Sequence, residues 1–473
     1  MKRAFVFVVV LLFSIHISSF SENTKSVAVK SISKVTGKDA SKYSSKHLQD
    51  WLDLSIYLAQ RNRGFTPVVA ARAYGYLSLT AYEAMVSGST KYCSMQNQIS
   101  EYKNFDFADE NKEYHWSAVS NAALRKVLNY LFINDYSSFP QLSVKSMDSL
   151  ETFHNDRFKK EASDEIIKRS IEYGQKVADQ IIAYSKTDNQ EFCWKDEKNF
   201  PVDYKVPTGR DKWVPKKGTI PDALHPEWGK VRTYSQKNSR IFDINPPHPY
   251  SEDTTSLFFK EALETFTLSQ RCFNVKDPKD KHLNVISQYW NDEPYRSATP
   301  AGHSLSIARH IITKENMPLD KASELIAKVG MSLHDAFVFC WNVKYNYNTI
   351  RPITYIRKMD YFKKPNCNMP IACPPFPEYI AGHATESGAA MEALTSMMGD
   401  NYKFTDSTHF VIRFDLPEDI VVPRTFNSFY ECAEEIAISR VYGGIHFRKA
   451  GVEGTRVGKL VAKNVLAFKF KKD

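Results

Sequence analysis

The stretch Lys344-Tyr345-Asn346-Tyr347-Asn348-Thr349-Ile350-Arg351-Pro352 sets a lysine and an arginine seven residues apart. Seven residues make about two helical turns, so the spacing predicts both cations on one helix face, with Pro352 breaking or bending the helix. A planar guanidinium fork and a compact ammonium that converge suit a tetrahedral oxyanion. Alone, such a pair is ordinarily a solvated face. Two later blocks shift the balance. Ala381-Gly382-His383 follows a Pro-rich turn, and Ser439-Arg440-Val441-Tyr442-Gly443-Gly444-Ile445-His446 follows that. They add a third cation and two histidines. Gly382 lets a backbone N–H approach an anion closely. The Gly443-Gly444 pair could turn the His446 imidazole, a nucleophile and metal ligand, back toward the same point.

These blocks resemble the signature shared by vanadium-dependent haloperoxidases and type 2 phosphatidic acid phosphatases. That signature is a Lys, six residues, Arg-Pro; then Ser-Gly-His; then Ser-Arg, five residues, His. The first and third blocks match at every specified position, and Ala381 stands where the family has Ser. Residues 67–86, 207–229 and 329–458 further resemble bacterial haloperoxidase-like members. The resemblance implies an exported enzyme that oxidises halide with hydrogen peroxide and carries vanadate as its cofactor. His446 would be the axial vanadium ligand, with Lys344, Arg351, Arg440 and the Gly382 N–H on the oxyanion. His383 would act as acid/base, and Lys344 would help polarise peroxide. Ala381 keeps the oxyanion-binding position but removes a hydroxyl donor worth about 1 kcal/mol or somewhat more. The same residues permit a soluble acid phosphatase, in which His446 would attack a phosphoester and form a phosphohistidine. A non-catalytic oxyanion-binding protein is the third reading, and it has no need of both histidines.

Four other residues carry paired readings. Trp341 and Phe376 resemble pocket-lining aromatics, with a plain core role as the competitor. His303, in Gly302-His303, is expected to be structural or to support the site from behind. Asp335, nine residues before Lys344, could pair with a site arginine, but a helix-surface carboxylate is the default.

Periodic apolar patterns predict helices to position these residues, at 48–61, 67–86, 116–132, 147–156, 163–185, from 256 onward, 320–343, 386–398, 429–442 and 450–468. Strand signals are scarce, so the fold class is all-α, with two packed helical bundles as the resemblance implies. The expected organisation is a signal peptide at 1–21, a flexible leader at 22–46 and a first bundle at 47–187. An irregular connection at 188–251 follows, and a second bundle bearing the oxyanion site fills 252–473. The connection holds eight of the 22 prolines, which marks it as a strap between bundles rather than a helix. Lys2-Arg3 and the apolar run that follows read as a secretory leader, giving a periplasmic or secreted protein without a spanning helix in its mature part. The formal net charge is +9. That excess helps attract small anions. Without a basic tract it does not point to nucleic acid. Of the seven cysteines, Cys367 and Cys373 are the expected disulfide pair and Cys340 a buried thiol. The partners are therefore small molecules: peroxide and halide, or a phosphoester.

Overall fold

The computed structural model describes residues 29–134, 137, 139–215, 223–364, 366–409, 413 and 415–472. The expected signal peptide lies outside the described residues. Fourteen α-helices are present among them. They are α1 (Lys46–Arg61), α2 (Pro67–Val86), α3 (Trp116–Phe132), α4 (Pro140–Phe158), α5 (Asp164–Lys186), the single turn α6 (Asp196–Asn199) and α7 (Leu257–Phe273). Then come α8 (Pro278–Tyr289), α9 (Thr299–Lys314), α10 (Leu319–Tyr347), α11 (Pro352–Lys358), α12 (Gly382–Met398), α13 (Phe429–Tyr442) and α14 (Arg448–Leu466). Two three-residue strands, β1 (Phe404–Asp406) and β2 (Arg424–Phe426), pair antiparallel with Phe404 opposite Phe426. The fold is all-α.

Helix α10 is the axle. It is apolar on nearly every side, and its buried residues run from Leu319 to Lys344. A helix hydrophobic all round belongs in a core. It packs against α2 on one side and α12 on the other, and one hydrophobic cluster runs continuously through all three. Helix α12 in turn lies tightly on α14. A Cβ added at Gly458 would sit 2.1 Å from the Thr385 carbonyl oxygen, so only glycine lets these backbones approach so closely. That contact fixes the N-terminus of α12, where Gly382 and His383 reside.

The Pro-rich connection is stitched to this axle. Where it begins, Asp188 takes a two-point ion pair from buried Arg72 of α2, with bonds of 2.7 and 2.9 Å, and a hydrogen bond from Tyr76. Further on, Asp335 of α10 accepts from the Tyr234 and Ser235 amides and from the Asn238 side chain. Asp335 is fully buried and pairs with no arginine among the described residues, unlike either sequence expectation for it. Its carboxylate satisfies backbone donors of a segment that has no ladder of its own. The expected disulfide is also absent. Cys367 is buried, Cys373 is exposed, and they form no bond with each other. Cys340 is buried, as expected for a core thiol.

Several helix bounds differ from the sequence reading: α10 runs to Tyr347 rather than 343, and α12 starts at Gly382 rather than 386. Helix α4 starts at Pro140 rather than 147, and α8 was not read from periodicity at all. Both begin with proline at the first turn, a start signal independent of apolar spacing.

Candidate functional site

Lys344 and Arg351 do converge, but not on one helix face. Helix α10 ends at Tyr347, and Asn348 caps it in the left-handed conformation at φ 49°. The chain then runs extended to Arg351 at φ −80° and ψ 149°, the N-cap of α11. Pro352 disfavours helical geometry at the residue before it, which is why the face expected across 344–351 does not form. The reversal is held from outside by the connection. The Trp213 amide donates to the Asn348 carbonyl, and the Ile350 amide donates to the Asp211 carbonyl.

Arg440 comes from the last turn of α13, and the sharp turn after it includes Gly444 at φ 75°, left-handed geometry that favours glycine. Lys344, Arg351 and Arg440 are all buried, and among the described residues none is ion-paired with a carboxylate. Instead they lean on carbonyls. Lys344 Nζ donates to the Pro377 and Glu378 carbonyls at 3.0 Å each. Arg351 donates to the Phe376 and Ile445 carbonyls at 2.9 and 2.8 Å, and Arg440 to the Trp290 carbonyl at 2.7 Å. Phe376 lies under two of them, its ring centre 5.2 Å from Lys344 Nζ and 5.0 Å from the Arg351 guanidinium carbon. Cation–π contact of that kind offsets only part of the cost of burial. Burial accordingly pulls the Lys344 pKa down to about 7 and that of Arg440 down to about 10. Arg351 Nη2 and Arg440 Nε are buried donors with no acceptor among the described residues.

His446 has defined partners at both ring nitrogens. Nδ1 lies 2.8 Å from Glu378 Oε1, and Nε2 lies 3.2 Å from Arg351 Nη1. A carboxylate accepts and a guanidinium donates, so the proton belongs on Nδ1 and the lone pair on Nε2. Burial, then Arg351 and Lys344, hold the imidazole neutral by lowering its pKa far below the usual range. Glu378 also accepts from the Phe447 amide at 3.0 Å, which ties it to the turn carrying the histidine. Burial raises its pKa to about 7 against the pull of Arg351 and Lys344. His383, on the first turn of α12, has an Nε2 with no partner among the described residues, and burial followed by Arg440 keeps it neutral.

One cavity of about 130 Å³ is lined by Gly382, His383, Arg440, Ile445 and His446, with Trp341 and Phe376 on its apolar side, and Lys344 and Arg351 contact that wall at the Phe376 ring. The first-turn amides of α12, Gly382 among them, have no intrahelical acceptor. A Cβ on Gly382 would meet only ordinary contacts, the nearest being Trp341 at 3.7 Å, and Lys344 Cε lies 4.0 Å from that point. The α12 N-terminus thus lies beside Lys344, and its partial positive charge favours an anion. Ala381 is the N-cap and provides no side-chain cap.

Sequence reasoning missed Glu378. It also read Asn291-Asp292-Glu293-Pro294 only as a turn, although Asp292 lines the cavity. Behind Asp292 lies His303, buried between two carboxylates. Its Nδ1 is 3.0 Å from Asp292 Oδ2 and its Nε2 2.7 Å from Asp406 Oδ2. Burial opposes its protonation, but the two carboxylates outweigh that and push its pKa up to about 10. No spacing signal links residues 292, 303 and 406; only the tertiary fold brings them together.

Comparisons with known proteins agree with the fold. The family model for the VCPO second helical-bundle domain matches residues 324–472. A bacterial vanadium-dependent iodoperoxidase structure aligns over 92% of this chain and 99% of its own, at 27% identity and a TM-score of 0.78. The apo-type bacterial vanadium-dependent chloroperoxidase aligns over 90% of this chain and 99% of its own, at 13% identity and a TM-score of 0.61. The holo-type chloroperoxidase aligns over 85% and 93%, at 14% identity and a TM-score of 0.58. The chloroperoxidases speak to fold alone. A search of curated proteins gave no significant match.

Proposed function

Because the chain belongs to the vanadium-dependent haloperoxidase superfamily, we propose that it is a haloperoxidase that binds vanadate among Lys344, Arg351, Arg440, Gly382 and His446 and oxidises halide with hydrogen peroxide. One observation carries the reading: three buried cations have no carboxylate partner among the described residues, Arg440 lines the cavity beside His383 and His446, and Arg351 and Arg440 keep donors without acceptors. Each uncompensated buried charge costs several kcal/mol, and a multivalent oxyanion would offset that cost. The donor set fits such a group, because His446 Nε2 has its lone pair directed by the Glu378 contact and the α12 N-terminus adds amides.

When bound, vanadate supplies a Lewis-acidic centre at which peroxide becomes an oxidant for halide. The chain's own residues prepare that chemistry. His446 holds its proton on Nδ1 and offers Nε2 as the ligand atom. Arg351 and Arg440 fix and neutralise oxyanion charge. Lys344 provides an ammonium whose proton is held loosely. His383 can accept or return a proton at Nε2, the role expected of a neutral imidazole at a wet–dry boundary. Trp341 and Phe376 exclude water and leave an apolar wall suited to a large, weakly hydrated halide. Iodide is the halide to test first, since the 27%-identical structure is an iodoperoxidase.

The apolar leader-like run at 1–21 supports export. No helix among the described residues is long and apolar enough to cross a membrane. The matched structures named above are peroxidases, so they lend no support to the phosphatase reading. Equilibrium dialysis with vanadate tests the proposal. The chain should bind vanadate, and His446→Ala should bind it on the order of 10–100-fold more weakly. Equal affinity would remove His446 from the ligand set.

A further inference from the structure

The geometry points to a second metal site, for a divalent transition ion of the zinc type, formed by Asp292, His303 and His409 with Asp406 as the supporting carboxylate. It is independent of the oxyanion reading and uses none of the residues assigned there. The three ligand residues come from separate parts of the chain: the turn after α8, helix α9, and the segment after β1. All three are buried, and one ligand atom from each falls within 4.8 Å of the others. Two separations already approach the spacing of donors around a tetrahedral ion, about 3.3 Å for bonds near 2 Å. His303 Nδ1 is 3.0 Å from Asp292, and His409 Nε2 is 3.4 Å from Asp292 Oδ1.

Unpartnered atoms point into the same space. His409 is fully buried, yet neither ring nitrogen makes a hydrogen bond among the described residues. Asp292 Oδ1 is likewise buried without a hydrogen-bond donor. Buried polar atoms are ordinarily hydrogen-bonded, so His409 Nε2 and Asp292 Oδ1, which lie 3.4 Å apart, favour a ligand that satisfies both.

The surroundings are those of a metal-bound imidazole. A ligating histidine characteristically donates its other N–H to a carboxylate, which fixes the ring and raises its basicity. His303 Nε2 does this to Asp406 at 2.7 Å. Asp406 is itself held by the Tyr289 hydroxyl at 2.8 Å and by the Thr408 amide and hydroxyl at 3.0 and 2.7 Å. Such a firmly held carboxylate orients Nδ1 toward Asp292 and His409. On binding, the Nδ1 proton leaves to solvent and its electron pair goes to the ion. Two carboxylates and two neutral imidazoles then balance a double positive charge. The ion would brace the turn at 290–293, whose Trp290 carbonyl accepts from Arg440.

Cobalt(II) is the probe. Tag-free protein is stripped with chelator, loaded with cobalt and passed through gel filtration. One retained cobalt per chain is expected, with a visible d–d spectrum lacking any thiolate charge-transfer band. His446→Ala should retain it, and His409→Gln should lose it. Should His409→Gln not fold, Asp406→Asn serves, with cobalt affinity expected to fall about 10–100-fold. Failure of the wild-type protein to retain cobalt, a thiolate band, or undiminished binding in a folded variant would each overturn the site.

Discussion

Lys344 gives the most informative perturbation because its charge state and its task are linked. Its ammonium is fully buried and among the described residues bonds only to the two carbonyls, and burial lowers its pKa from 10.5 to about 7. At about 1.4 kcal/mol per pKa unit, the charged form is disfavoured by roughly 5 kcal/mol in the anion-free protein. A bound oxyanion favours the charged form and raises that pKa again. Below about pH 7 the ammonium is already charged, and anion binding is at full strength. Above it, binding must draw a proton from solvent, so Lys344 contributes a loss of up to about tenfold in affinity per pH unit. The assay is calorimetric titration with inorganic phosphate, an oxyanion of the same shape, from about pH 6 to about pH 9. Lys344→Met provides the reference, since the anion's own ionisation is common to both proteins. At the acid end the variant should bind on the order of 10²–10³-fold more weakly, from a Coulomb term of about 4 kcal/mol at 4 Å in a partly screened site. That gap should shrink by about tenfold per pH unit above neutrality. A gap that stays constant across the range would refute the linkage and with it the loosely held proton assigned to Lys344.

Two further outcomes follow from single contacts. Ala381→Ser restores a hydroxyl at the N-cap of α12 and should tighten vanadate binding about 5- to 30-fold in the same dialysis, on the scale of one hydrogen bond to a charged group. Asp335→Asn turns one oxygen into a donor that faces the Ser235 amide or the Tyr234 amide, so thermal or urea unfolding should show a loss of about 1–3 kcal/mol.

The three motif blocks carried most of the site because each is local. Gly382 and His383 are adjacent, and Arg440 precedes His446 by one tight turn. Arg351 was also legible, but by the wrong route, since a left-handed Asn348 and a pre-proline residue replace the expected helix face. Glu378 gave no signal. It lies in a Pro-rich loop without periodicity, and its meaning comes entirely from His446, far along the chain. Asp406 and His409 were invisible for the same reason. Asp335 misled because a carboxylate is by default a surface group, whereas here it is buried and satisfied by backbone amides of the connection. Helix positions were read well in the long apolar segments, α2 among them, although it is buried on nearly every side. They were read poorly at α8, where a proline start carries the information instead.

In the proposed reaction this cavity makes an oxidant from peroxide, with His446 holding the cofactor. Peroxide-dependent iodide oxidation, measured with and without added vanadate for the wild-type chain and His446→Ala, tests it most directly. The wild type should oxidise iodide only with vanadate, and His446→Ala should show no turnover that added vanadate can restore. Phosphoester hydrolysis by the vanadate-free protein, inhibited by vanadate and without iodide oxidation, would contradict it and assign the same residues to phosphoryl transfer.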